Sequence, residues 1–191
     1  MSAVSLLPRE LIALALLLIS SVANAAEPQL QTEADNAHVI VMFTPGDDIA
    51  GHIIQAIRQA RKQILVQAFS FTHDGIAKAL IEAHNRGIEV ELIADKGQTE
   101  ALRYGQVPGI ARGGVPVWLD GDHQAAHNKV IVIDADTKNA LVITGSYNFT
   151  RAAQGKNAEN SVFISGDDAL VRQYAANWQR HLAHSKPLVL H

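Results

Sequence analysis

His127 and Lys129 sit two positions apart, Asp134 follows, and a Gly145-Ser146-x-Asn148 cluster comes after a further gap. These residue types suit attack on a phosphate ester. A neutral histidine is a nucleophile, and a protonated one is a general acid. A lysine ammonium neutralises phosphate oxygens, while hydroxyl and amide groups hydrogen-bond them. Donors fixed where charge develops contribute heavily to catalysis. Glu159, in Asn157-Ala158-Glu159-Asn160, is the candidate carboxylate for the second ring nitrogen of His127. There it would fix the tautomer and support the imidazolium. A lone His-x-Lys is usually just polar residues at a strand end. The ordered combination, with a glutamate behind it, favours function.

Two strands must carry these groups. Val130–Ile133 is an apolar β-branched run, expected as a strand buried on both faces. Alternation places His127 and Lys129 on one face and Asp134 on the other. Asp134 is therefore assigned a structural role, holding the turn that follows. Ala140–Thr144 is the second strand of a hairpin, with 136–139 as its polar turn. Gly145 permits an unusual backbone angle or a close approach to substrate. Ser146 and Asn148 again share a face.

This pattern resembles the HKD signature of the phospholipase D superfamily. With one copy in a short chain and Glu159 downstream, it is most similar to the small bacterial endonucleases of that superfamily. Gln67-Ala68-Phe69-Ser70-Phe71-Thr72 and Lys156-Asn157-Ala158-Glu159-Asn160 look like the same group. The stretch Ala135–Thr144 is longer than the family's usual spacing and reads as a hairpin with longer arms. The resemblance implies an α-β-α sandwich and a symmetric homodimer whose two motifs meet at one active site. One His127 would form a phosphohistidine, and the other would protonate the leaving oxygen and then activate water. Lys129 and Asn148 would hold phosphate oxygens, Ser146 and Glu159 would support the histidines, and no metal or other cofactor would be needed.

The rest of the chain sets bounds. Leu11–Val22 is an apolar core behind Arg9, and Ala23-Asn24-Ala25 is a small-x-small cleavage pattern. Residues 1–25 therefore read as a signal peptide, with an uncleaved anchor as the weaker alternative. Residues 26–191 form one expected domain, periplasmic or secreted. There is no cysteine, so thiol catalysis and cysteine metal sites are excluded. The net charge of −3 argues against a uniformly basic binder. A polyanion site must be a local patch, for which Arg151 and Lys156 are substrate-binding candidates, and Lys96, Arg103 and Arg112 could add to it.

Strands are expected at 38–43, 63–71, 88–93, 115–119 and 161–164. Helices are expected at 49–62, from Thr72 or Asp74 to Gly87, at 99–104, about 110–112 and at 167–184. Strand–helix alternation followed by clustered strands predicts a mixed, largely parallel sheet. Trp118 and Trp178 read as core, and Gly113-Gly114 as a turn. His52, His73, His84 and His123 show no metal-ligand spacing. His181 and His184, with His191, could bind metal adventitiously, but helix-end electrostatics explains them as well. The leading expectation is a nucleic-acid phosphodiesterase. A phospholipase is the second, its cue an exposed apolar patch near the site, and none is evident in the sequence. A silent DNA-binding or envelope scaffold is the third.

Overall fold

The computed structural model describes residues 37–190; the expected signal segment at 1–25 lies outside the described residues. Eight strands form one sheet in the order β1-β7-β6-β5-β2-β3-β4-β8. They are β1 His38–Thr44, β2 Gln63–Ala68, β3 Glu89–Asp95, β4 Val117–Asp120, β5 Lys129–Ile133, β6 Leu141–Gly145, β7 Glu159–Ser165 and β8 Lys186–Pro187. The helices are α1 Ile49–Gln59, α2 Asp74–Asn85, α3 Lys96–Ala101, α4 Val107–Arg112, α5 Arg151–Gly155 and α6 Asp168–Leu182.

Alternation along the strands splits the core into two layers. Ile64, Val66, Leu92, Ile131 and Ile133 pack with Ile53 and Ile57 of α1 and Ile76 and Leu80 of α2. Leu65, Ile93, Val130, Val132 and Val142 face the opposite way, onto Val171 and Trp178 of α6. Trp178 is fully buried, and its indole N–H donates to the Val66 carbonyl at 2.9 Å. The α-β-α sandwich is as expected.

The balance of strand directions differs from expectation. Only β2–β3 and β3–β4 run parallel. The pairs β1–β7, β7–β6, β6–β5, β5–β2 and β4–β8 are antiparallel. The sheet is thus mixed but mainly antiparallel. A helix between strands suggests a parallel neighbour, but α1 joins β1 to β2 across a gap that β7, β6 and β5 fill. Helix α5 and strand β8 are additions that periodicity does not reveal, because each is too short to show a period.

Helix starts follow their caps. Asp48 accepts from the Gly51 N–H at α1, and His73 Nδ1 accepts from the Ile76 N–H at α2. No helix among the described residues is long and apolar enough to cross a membrane.

Candidate active site

The register brings Lys129 at the start of β5, Gly145 at the end of β6 and Glu159 at the start of β7 to one end of the sheet. His127 is exposed just before β5, whereas Lys129 is buried. Their side chains meet as strand alternation requires: Lys129 Nζ lies 2.9 Å from His127 Nδ1 and donates to the His127 carbonyl at 2.8 Å. Burial pushes the Lys129 ammonium pKa down and the nearby Glu159 charge pulls it partly back, leaving it at about 8.

Phe69 completes this corner and was not singled out by residue type. Its ring lies 4.3 Å from the His127 ring, and Lys129 Nζ sits 4.8 Å from its centroid. Its backbone N–H donates to Asn128, which holds β2's extension beside the histidine. The only sequence signal for Phe69 is its place in the Gln67–Thr72 stretch.

Ser146 donates to Glu159 Oε2 at 2.6 Å, and Asn157 donates to Oε1 at 2.9 Å. Ser146 Oγ in turn accepts from the Asn160 N–H at 3.0 Å. Glu159 is thus engaged by Ser146 and Asn157, not by His127 as expected. The sheet order explains this: β7 pairs with β6, the strand leading to Ser146, and β5 lies one strand further. The His127 Nδ1 position assigned to Glu159 is taken by Lys129.

Asn148 Oδ1 is buried without a hydrogen-bond partner. A buried amide oxygen left without a partner is uncommon in a folded protein. Gly145 has φ 151°, and a Cβ there would collide with the Asn160 carbonyl. Glycine is required for β6 to turn against β7 just before Ser146.

Asp134 is buried and structural, but by a longer reach than expected. Its carboxylate accepts the backbone N–H groups of Arg61, Lys62 and Gln63 at 2.9, 2.7 and 3.0 Å. It therefore holds the connection between α1 and β2 rather than only its own turn. Asp134 itself adopts φ 52°, tolerated by aspartate, and leaves the strand there. The hairpin arms are accordingly not lengthened. Ile133 pairs with Leu141, and the extra residues lie in the connection 134–140.

Arg151 is exposed and pairs with Asp74 at 3.0 Å, holding that carboxyl below the usual range. Lys156 is exposed at the end of α5.

His123, which shows no metal-ligand spacing in the sequence, is brought to the His181–His184 pair. His123, His181 and His184 converge on Asp120 at 3.1, 2.8 and 3.2 Å. The sequence hides this cluster because β8, after α6, pairs with β4 and sets the end of α6 beside the end of β4.

An apolar surface also borders the site. Val39, Val41 and Phe43 on β1 are about half exposed, and β1 ends with Thr44 opposite Glu159. The sequence reading missed it because β1 looks like any buried strand.

Residues 53–182 match the family described as "Cardiolipin synthase, PLD-like domain". The chain is similar to a phospholipase D of Rickettsia typhi, 34% identical over 146 residues covering 76% of this chain and 69% of the relative. It is similar to human mitochondrial cardiolipin hydrolase, 29% identical over 135 residues covering 71% of this chain and 51% of that protein. Among solved structures it resembles Nuc from Salmonella typhimurium, a phospholipase D family member. That match has a TM-score of 0.75 and 31% identity over 81% of this chain and 100% of Nuc. NucT from Helicobacter pylori shares the fold, with a TM-score of 0.72 and 22% identity over 80% of this chain and 100% of NucT. With the family match spanning most of the chain and the His-Lys-Ser-Asn constellation gathered at one sheet end, the chain belongs to the phospholipase D superfamily and is a phosphodiester hydrolase.

Proposed function

We propose that this protein is an exported, metal-independent endonuclease with little sequence preference that works as a homodimer. The observation that carries this reading is the pairing of an exposed His127 with a buried Lys129 at one end of the sheet. His127 and Ser146 are both exposed, so a polymer backbone can lie across them. Lys156, just after α5, supplies exposed positive charge, and Arg151 at the start of α5 does so while paired with Asp74.

The chemistry follows from the groups present. His127 Nε2 of one subunit attacks phosphorus, and the bond from phosphorus to the leaving oxygen breaks. The partner's His127 gives that oxygen a proton. Water then attacks the phosphohistidine, the partner's His127 takes the water proton, and the nitrogen–phosphorus bond breaks. Lys129 and Asn148 hold the phosphate oxygens, and Ser146 and Glu159 shape the rim. Attack through Nε2 requires the neutral tautomer with its proton on Nδ1, the nitrogen that lies 2.9 Å from Lys129 Nζ.

A phospholipid substrate is the second reading, favoured by the apolar stripe on β1 and by the names of the Rickettsia and human relatives. Purified residues 26–191, in excess EDTA and at a temperature where the chelated protein is folded, should be assayed on nucleic acid and on phospholipid vesicles. Nucleic-acid cleavage without headgroup release is expected. Headgroup release alone would replace the nuclease by a phospholipase. Loss of cleavage in chelator, restored by Mg²⁺, would remove metal independence.

A further inference from the structure

The strongest cluster outside the active site is Asp120, His123, His181 and His184. Each residue offers one ligand atom, and these atoms lie within 4.8 Å of one another. The three imidazole rings form a near-regular triangle, with centroids 5.3, 5.2 and 5.2 Å apart. Their nitrogens point at one carboxylate: His123 Nδ1 at Oδ1, and His181 Nδ1 and His184 Nε2 at Oδ2. The Asp120 side chain is fully buried.

We propose that these four residues form a structural zinc site that clamps the loop leading to His127 onto the last helix. Imidazole nitrogen and carboxylate oxygen are zinc donors at about 2.0–2.2 Å, which sets neighbouring donors roughly 3.3 Å apart around a tetrahedron. The His–carboxylate separations of 2.8–3.2 Å, spread over both Asp120 oxygens, are hydrogen-bond distances slightly shorter than that spacing, so an ion would push the rings apart by a few tenths of an ångström. The wider pairs close by side-chain rotation, for which His123, 47% exposed, has room. A cavity of about 130 Å³ beside His184 is lined by Leu119, Gly121 and Asp122 and also by Lys96 and Lys186.

Four protein donors fill a tetrahedral shell and leave no open position, which is the pattern of a structural site rather than a catalytic one. The placement agrees. Asp120 alternates with Leu119 and so shares the α6 face of the sheet with Trp118, whereas Lys129 shares the opposite face with Ile131. Strands β2 and β3 lie between β5 and β4, so the two sites are roughly 14 Å apart at the same end of the sheet. What connects them is the chain. Residues 121–128 run from Asp120 to His127 and on to β5, held also by the Ala126 N–H on Asp95 Oδ2 at 2.8 Å and by the Phe69 N–H on the Asn128 carbonyl at 2.9 Å. A metal joining Asp120 and His123 to His181 and His184 pins the first half of that loop. Loop position then sets where the His127 ring stands over Phe69.

The test is metal binding, not activity. The purified chain, stripped with chelator and dialysed free of it, should be titrated with Zn²⁺ and with Co²⁺ as a spectroscopic probe. Expected are one Zn²⁺ per chain, the visible spectrum of four-coordinate Co²⁺, a Zn²⁺-dependent rise in Tm, and slower amide exchange at 121–128. His184→Ala and His123→Ala should each weaken Zn²⁺ binding by more than about 100-fold, since even outer partners of metal ligands commonly matter 10–100-fold. His123 lies on an exposed loop, so its variant keeps the fold and decides the matter even if changes on α6 do not. His127→Ala should bind Zn²⁺ as the wild type does. Folded wild type with no Zn²⁺ uptake and no rise in Tm would overturn the proposal. So would uptake unaffected by His123→Ala and His184→Ala, or uptake lost in His127→Ala.

Discussion

Lys129 carries its charge where burial penalises it, and that sets a pH limit on the enzyme. With its pKa lowered to about 8, the ammonium that must hold phosphate begins to deprotonate there. Activity is expected to fall as pH rises through about 8, well below the range of an ordinary lysine. Glu159 raises the Lys129 pKa, so Glu159→Gln should move this alkaline limb to lower pH in addition to reducing the rate. A pH–rate profile of both proteins checks the direction; an unmoved limb would assign it to another group. His127→Ala and Lys129→Ala should each lose nearly all cleavage. Removing a positioned acid or base alone costs about 10²–10⁴-fold, and His127→Ala should exceed this because nucleophile and acid go together. Single-turnover rates on folded variants measure both.

Between elements, the same motif supplies a residue of the opposite kind. Asp134 joins β5 to the α1–β2 connection through three N–H bonds and touches neither His127 nor Lys129. Asp134→Ala should cost on the order of 3 kcal/mol, since three donors lose a charged acceptor. That lowers Tm by roughly 6–12 °C for a domain of this size. The rate of the remaining folded enzyme should be close to wild type; a folded but inactive variant with unchanged Tm would place Asp134 in the chemistry. Strand parity made this distinction legible in the sequence, because parity depends only on local geometry. The helices with long apolar periods, α1, α2 and α6, were legible for the same reason. The partner of Glu159 was not, because hydrogen-bond choice depends on strand order, and β7 lies next to β6 rather than β5. The Asp120 cluster escaped equally: its ligands are separated by the whole catalytic hairpin and meet only when β8 closes on β4. The balance of strand directions was misjudged because a helix between two strands sets their common direction but not their adjacency, and the antiparallel strands β7, β6 and β5 fill the gap between β1 and β2.

At the scale of the molecule, the proposed mechanism takes its second histidine from a second chain, because one His127 cannot both attack phosphorus and donate to the leaving oxygen. The stripe of Val39, Val41 and Phe43 on β1, ending beside Glu159 at the site end of the sheet, is the surface we assign to the second copy. These side chains face away from α1, where α6 does not cover them. Val41→Glu should therefore yield a folded monomer that binds phosphodiester weakly and does not cleave it. Light scattering and cleavage rates, read on the same sample, check both halves. A Val41→Glu protein that stays dimeric and instead loses vesicle binding would give the stripe to lipid. The shared site has a second consequence. Mixed dimers, made by dissociating and reassociating wild type with excess His127→Ala chains, contain one ring for two roles. Their activity should fall below simple dilution of the wild-type chain, because each mixed dimer is inactive. Mixed dimers that keep half the wild-type rate, or a fully active monomer, would show that each chain completes its own site, and the homodimer mechanism would have to be given up.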